Sequence, residues 1–360
     1  MTANADLPPW IAGRYPINAL ADDPLFAGSD VGRSLADRPL GFIDVGARGG
    51  VHDLVAPLAK WVAVLGFEPD PPACEEMNAL MAREGTWARG LCLPTALADR
   101  EGPATLHLCA APTNHSLLPI NREFVARYRM DKFAQTGAFP LQTERLDTVL
   151  ARRPAGEPAW GEFMKIDTQG TEYEILQGSR RTLAERTAAL FVEVEFCEIY
   201  AGQKLFSDLE RLLREQGFAF FGFHSTHERS RKMLDKKRFI GRERLLHADA
   251  IFFKDPLEGR PAAMPQRQHH VVFACALLCG FFDFALELVE AGLAGADAGE
   301  RQRLATLMET LAGHPAERAA KSALALADEV RANPSSANLL VGRFVDARRA
   351  ICNFEDVQEP

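Results

Sequence analysis

Residues 41–50, Gly-Phe-Ile-Asp-Val-Gly-Ala-Arg-Gly-Gly, constrain the fold more than any other stretch of this chain. A short apolar run ends in an acid and then in a glycine-rich bend, the pattern of a buried strand that enters a tight turn ahead of a helix. Gly66-Phe67-Glu68-Pro69-Asp70 follows at the distance of a second strand and places an acid at its tip. An acid there can accept hydrogen bonds from both hydroxyls of a ribose held against the first turn. The two stretches together describe a nucleoside-bearing cofactor cleft in an α/β domain.

The turn narrows the choice of cofactor. Gly46, Gly49 and Gly50 do not follow the Gly-x-Gly-x-x-Gly spacing that seats a dinucleotide pyrophosphate. Asp44, just ahead of the bend, would repel a diphosphate and suits a cationic amino-acid group. The residues therefore favour S-adenosylmethionine over a nicotinamide dinucleotide. An ordinary strand-to-helix turn with a capping acid is the plain alternative.

Alternation continues along the chain. Strands are expected at 41–45, 62–67, 91–97, 105–109, 142–145, 163–167, 190–196, 218–223 and 250–254. Helices are expected near 51–59, 71–84, 122–134, 172–177 and 206–216. Such alternation means a parallel sheet with helices on both faces. A last strand antiparallel to the others is the ending of a class I methyltransferase sheet of seven strands.

These motifs carry a family resemblance. Phe42-Ile43-Asp44-Val45-Gly46-Ala47, Gly66-Phe67-Glu68-Pro69, Ala98-Asp99, Arg145-Leu146-Asp147-Thr148, Lys165-Ile166-Asp167-x-x-Gly170-x-Glu172 and Glu193-Val194 occur in the order and spacing of FkbM-type S-adenosylmethionine-dependent methyltransferases. Roughly residues 40–255 resemble that family. The resemblance implies a Rossmann-like class I fold and methylation, mostly O-methylation, of hydroxyls on small metabolites or saccharides. Two positions depart from it. Arg48 stands where asparagine is common, and Gln169 where glutamate commonly precedes the glycine.

Methyl transfer from a sulfonium is an in-line displacement, so the protein must hold the acceptor against the methyl carbon and exclude water. Gly46 and Ala47 would bring backbone close to the donor, Asp44 would anchor its amino-acid end, Glu68 its ribose and Asp99 its adenine. Asp167, at the carboxyl end of a central strand, is the first candidate for work on the acceptor, as orienting group, general base or metal ligand. Glu193 and Glu195, two apart on a strand, share one face and could line the acceptor site, hold a divalent metal with Asp167, or form ion pairs. His224 is a candidate proton acceptor. Gln169, Glu172, Asn114 and Ser116 are candidate substrate contacts, with helix capping the plain alternative for Glu172 and Asx-type turns for the last two.

With 360 residues, of which 47% are hydrophobic and 25% charged, the chain can bury a large domain and a smaller one. It divides into an extension over 1–36, a methyltransferase domain over 37–260 and a helical domain over 261–360. The extension would wrap over the main domain or cap its cleft. The terminal helices are expected at 271–291, 299–312, 315–332 and 335–350 after a polar linker that holds His269 and His270. They suit a homodimer or protein contact better than chemistry. A net charge of −8 gives no general attraction to nucleic acid. The basic run between Glu228 and Arg244 reads either as a solvated loop or as a lid for an acidic acceptor. Seven cysteines with no Cys-x-x-Cys pair argue against a disulfide framework. No apolar run reaches membrane-spanning length and Met1–Pro9 lacks the pattern of a signal peptide, so the sequence is read as that of a cytoplasmic protein with no membrane partner. Two other classes stay open: a nicotinamide-dependent oxidoreductase, and a non-catalytic protein that keeps a cofactor cleft and works through its helices.

Overall fold

A computed structural model describes residues 16–236, 238–239, 241–258, 264–292, 296–313 and 316–349. The readings made on Met1–Pro9 and on the chain around Pro261 lie outside these residues. Among the described residues ten strands form two sheets: β1 (Leu40–Val45), β2 (Val62–Phe67), β3 (Arg89–Leu93), β4 (Ala96–Leu97), β5 (Gly102–Cys109), β6 (Gln135–Glu144), β7 (Phe163–Ile166), β8 (Ala189–Glu195), β9 (Ala219–Arg229) and β10 (Arg244–Phe253). Seven of them build the main sheet in the order β3-β2-β1-β7-β8-β10-β9. β10 runs antiparallel to β8 and β9, and the pairs from β3 to β8 are parallel. This is the class I methyltransferase sheet expected from the sequence.

Every residue of β1, β2 and β7 is buried, which is why these strands read as apolar runs rather than as alternating ones. Their side chains divide between two cores. Phe42, Val64, Phe163 and Phe191 enter one, and Ile43, Leu65, Met164 and Val192 enter the other. The second core is closed by α5 (Leu146–Ala151), α6 (Glu172–Gln177), α7 (Arg180–Glu185) and α8 (Phe206–Glu215).

The first core reaches far along the chain. It holds Phe26 of α1 (Pro24–Ala27), Val31 and Leu35 of α2 (Asp30–Asp37), Met77 and Met81 of α3 (Pro71–Glu84), and nine consecutive residues of α9 (Gln266–Cys279), Val271 to Cys279. A helix apolar on all sides belongs inside a protein, and α9 lies against the sheet. The described part of the extension, from residue 16 on, accordingly packs on this helical layer. Asp23 caps α1 and Ser29 caps α2.

Several expected boundaries are corrected. The segment after β1 is a 3-10 helix, Asp53–Trp61, because Pro57 breaks the α-helical ladder. The strand expected at 91–97 is two strands in different sheets. The one expected at 142–145 begins at Gln135, and the helix expected at 122–134 is α4 (Arg122–Tyr128), ended by Arg129 at φ 52°. The helix expected at 271–291 is broken at Gly280, whose φ of 81° caps α9 before α10 (Phe282–Glu290). His269 and His270 lie within α9 rather than in a linker, and His270 is buried. α11 (Ala298–Ala312), α12 (Ala316–Ala332) and α13 (Ala337–Arg349) follow near their expected positions. The six described cysteines are free and buried. Among the described residues no helix is long and apolar enough to cross a membrane.

Candidate active site

Strand order reverses between β1 and β7, where an open α/β sheet leaves a crevice beyond its carboxyl ends. A cavity of about 340 Å³ lies there. Gly46 and Arg48 line it from the turn after β1, Glu68 from the end of β2, and Asp167 and Gln169 from the loop after β7. The small sheet, in the order β4-β6-β5, supplies Leu97 and Leu106. The segment after β5 supplies Asn114 and Ser116.

Gly46 has φ 79°, and a Cβ there would sit 1.9 Å from the carbonyl oxygen of Asp167. Glycine is thus required by the approach of two loops of the chain to each other. The N–H groups of Gly46 and Ala47 both donate to the Phe67 carbonyl, at 3.1 and 3.3 Å. Ala47 is committed to the β1–β2 junction and lies outside the cavity wall.

Asp44 also stands behind the wall. Its Oδ2 accepts the His52 N–H at 2.9 Å, and its Oδ1 faces Lys165 Nζ at 3.3 Å. Lys165, directly across on β7, donates to the Gly46 carbonyl at 3.2 Å and lies 3.7 Å from Asp167 Oδ2. Burial opposes its charge, but Asp44 and then Asp167 outweigh that and raise the Lys165 pKa. Asp44 therefore fixes the turn through Lys165 rather than meeting a ligand in this geometry.

Glu68 is where a ribose acid is expected, with a side chain only 6% exposed. Its Oε1 accepts the Asp70 N–H at 3.0 Å and faces Arg48 Nη2 at 3.3 Å. Arg48 also holds Asp70 Oδ2 at 2.6 Å. Burial raises the Glu68 pKa, and the Asp70 amide and Arg48 oppose the rise. Asp99 is corrected. It is exposed and lies off the cavity wall, because the chain leaves the main sheet after Leu93 and crosses to β4. Thr95, Ala96 and Leu97 line the wall in its place.

The loop after β7 is held by its own acid. Glu172 accepts from Thr168 N at 2.7 Å, Thr168 Oγ1 at 3.1 Å and Gly170 N at 3.0 Å. It is fully enclosed, and burial pushes its pKa up to about 7. This grip holds Gln169 at φ 63°, a conformation uncommon for a residue other than glycine. The Gln169 amide donates to Asp167 Oδ1 at 3.1 Å and Glu193 Oε2 at 3.0 Å, and accepts from the Tyr200 hydroxyl at 2.9 Å. An amide donor between two acids explains glutamine at this position. Ser116 donates to the Gln169 carbonyl at 2.6 Å, and the Asn114 carbonyl accepts from Tyr200 at 3.1 Å. Both latch the cavity roof to this loop.

Glu193 and Glu195 share a face of β8 as expected, but neither lines the cavity. Burial, followed by neighbouring acids, raises both pKa values. Glu193 Oε1 lies 2.9 Å from His247 Nδ1. His224 lies away from the cavity wall, against Phe191 at 5.4 Å between ring centroids. Burial lowers its pKa. The described residues of the basic segment between β9 and β10 line no part of the cavity either. The residues that sequence reasoning missed are Tyr200, His247 and His52, which come from loops and distant strands. Arg48 was visible only as a departure from the family pattern.

A class I sheet, a glycine turn, an acid just after β2 and an acid just after β7 define the scaffold of a methyltransferase. The family model of the methyltransferase FkbM domain matches residues 44–220. A solved structure of methyltransferase FkbM from Methylobacillus flagellatus KT is similar at 13% identity and TM-score 0.34, covering 60% of this chain and 43% of that one. The chain thus spans less than half the length of that relative. Magnesium protoporphyrin IX methyltransferase from Synechocystis PCC 6803, solved with bound SAM, is similar at 12% identity and TM-score 0.31, covering 62% of this chain and 76% of that one. A search of curated proteins finds no match.

Proposed function

We propose that the protein transfers a methyl group from S-adenosylmethionine to a hydroxyl oxygen of a small metabolite or saccharide. The observation that carries this reading is Glu68, buried at the tip of β2 and opening into the cavity beside the glycine turn. When bound, the donor supplies an electrophilic methyl carbon on a sulfonium. The residues present fit it. Glu68 offers carboxylate oxygens to a ribose diol, and Leu97, Leu106 and Ile175 offer an apolar wall to a flat ring. A dinucleotide fits less well, since the segment after the turn is a 3-10 helix that opens with Asp53 rather than an α-helix amino terminus free to face a pyrophosphate.

On the acceptor side, Asp167 is half-exposed to the cavity and held by Gln169. It orients the attacking hydroxyl and takes its proton as the new bond forms. Gln169 and Tyr200 are positioning residues for that carboxylate. The reading of the terminal helices as a contact surface for a second copy or another protein is supported by Leu324 on α12 and Val341 on α13, both exposed.

The test is calorimetric titration of wild type and Glu68→Ala with S-adenosylmethionine, followed by turnover of Asp167→Asn on acceptors found by screening hydroxylated compounds. Loss of the charge-assisted ribose hydrogen bonds should weaken donor binding roughly tenfold or more. Asp167→Asn should lower kcat while donor affinity holds. Folded wild-type protein that binds no donor sinks the proposal.

A further inference from the structure

The chain carries a net charge of −8, yet one surface segment is strongly basic. From Arg229 at the end of β9 to Arg244 at the start of β10, the described residues include seven lysines and arginines against two acids, Asp235 and Glu243. Some of these cations are committed. Arg229 donates to the Tyr128 carbonyl at 3.2 Å, and Lys236 pairs with Glu243. Arg231, Lys232, Arg238 and Arg242 are exposed, and among the described residues none of the four has an ion-pair partner.

Charge is only half of the pattern. Met233, Leu234 and Phe239 stand among these cations and are 75%, 60% and 53% exposed. With Arg231 and Arg242 they line a cavity of about 360 Å³ that Leu339 of α13 also lines. Apolar side chains left this far in water contribute nothing to the core, and a cluster of them marks an interaction surface. An anionic bilayer meets both halves of the pattern, since its headgroups take up cations while apolar side chains enter the acyl boundary. A nucleic acid offers nothing to Met233 and Leu234, and Phe239 alone makes no stacking platform. A stable protein interface takes about 20–30 residues a side around a dry apolar centre, which three side chains set among cations do not supply.

We propose that the segment between β9 and β10 docks the protein onto anionic lipid surfaces, with Met233, Leu234 and Phe239 entering the headgroup boundary and Arg231, Lys232, Arg238 and Arg242 meeting the phosphates. The rest of the chain is acidic and is repelled by such a surface, so this segment meets it first. Near the start of β10, His247 lies opposite Glu195, the last residue of β8. The segment therefore leaves the sheet at the carboxyl end of β8, the end where the cavity lies, and docking turns that end towards the lipid. Attachment of this kind needs no spanning helix, and the expectation of no membrane partner rested on spanning length and the lack of a leader. The inference rests on this segment and not on the identity of the methyl donor.

The test is co-sedimentation of the full chain with vesicles of phosphatidylcholine alone and of phosphatidylcholine mixed with phosphatidylserine, at low and high sodium chloride. Wild type should sediment with the serine-lipid vesicles only, and less at high salt. Arg238→Gln with Arg242→Gln should weaken binding roughly 25-fold, about fivefold for each cation. Leu234→Ser with Phe239→Ser should weaken it about tenfold or more at unchanged charge. Circular dichroism confirms that each variant is folded, and neither touches a residue of the methyltransferase cavity. Folded wild type that stays in solution beside the anionic vesicles overturns the proposal. So does binding that Leu234→Ser with Phe239→Ser retains in full, which is the behaviour of a bare basic patch and would assign the segment to an acidic acceptor or a nucleic acid.

Discussion

Replacing Arg267 with methionine should destabilise the whole sheet and not only the terminal helices. Arg267 stands in the first turn of α9 and forks onto Glu162, with Nε to Oε1 at 2.8 Å and Nη2 to Oε2 at 2.7 Å. Its Nη1 also donates to the Ser34 carbonyl at 3.0 Å, which ties α2 to the same point. Glu162 is 4% exposed and accepts the Gly41 N–H of β1 at 3.1 Å. Removing one partner of a buried ion pair costs about 3–5 kcal/mol, since the other charge stays enclosed. Arg38 remains 3.1 Å from Glu162, with more than half of its side chain exposed, and compensates in part. About 3 kcal/mol is therefore expected. Urea denaturation followed by tryptophan fluorescence should show a lower midpoint at unchanged slope. A double substitution with Glu162→Met should recover part of the loss, because it removes the stranded charge. A loss under about 1 kcal/mol, or a separate early transition that leaves the sheet intact, would refute the idea that α9 is part of the sheet's core.

Gly46→Ala should cost at least about 3 kcal/mol, from left-handed strain of about 1–2 kcal/mol and from parting the β1 and β7 loops. Gly49→Ala, at φ 92° with no heavy atom within 4 Å of the new Cβ, should cost only the strain; equal melting curves for the two variants would contradict this. Burial lowers the pKa of His270 to about 4 from the ordinary 6.5. The unfolded chain therefore takes up the proton first as pH falls, so the stability held above about pH 6.5 is lost towards pH 4. Wild type should lose roughly 1–2 kcal/mol more than His270→Gln between pH 7 and 5. Parallel stability curves would exclude His270 as the cause.

How much the sequence disclosed follows from burial. β1, β2, β7 and β8 were legible because strands enclosed on both faces are mostly apolar, so that Asp44, Lys165, Glu193 and Glu195 stand out in them. β6 was half hidden, since most of Gln135–Pro140 is exposed and no alternation of polar and apolar residues marks it. Glu68 and Asp167 were legible as acids at the ends of apolar runs, where a charge has no structural reason to be. Asp99 misled because it too follows an apolar run, yet that run bends into the second sheet. Tyr200 could not be found, since its bond to Gln169 spans 31 positions and no local period signals it. The single helix read across Gly280 failed because apolar continuity hid a glycine cap.

The cavity has two walls of different origin. The acids come from the ends of main-sheet strands, while the roof comes from β5 and the segment that follows it, anchored through the two-residue β4 and the latches at Ser116 and Asn114. Half of the site is thus a cassette. Exchanging residues 102–144 for the matching stretch of a chain with an FkbM domain, with the two latches preserved, would hand the same engine a new clientele.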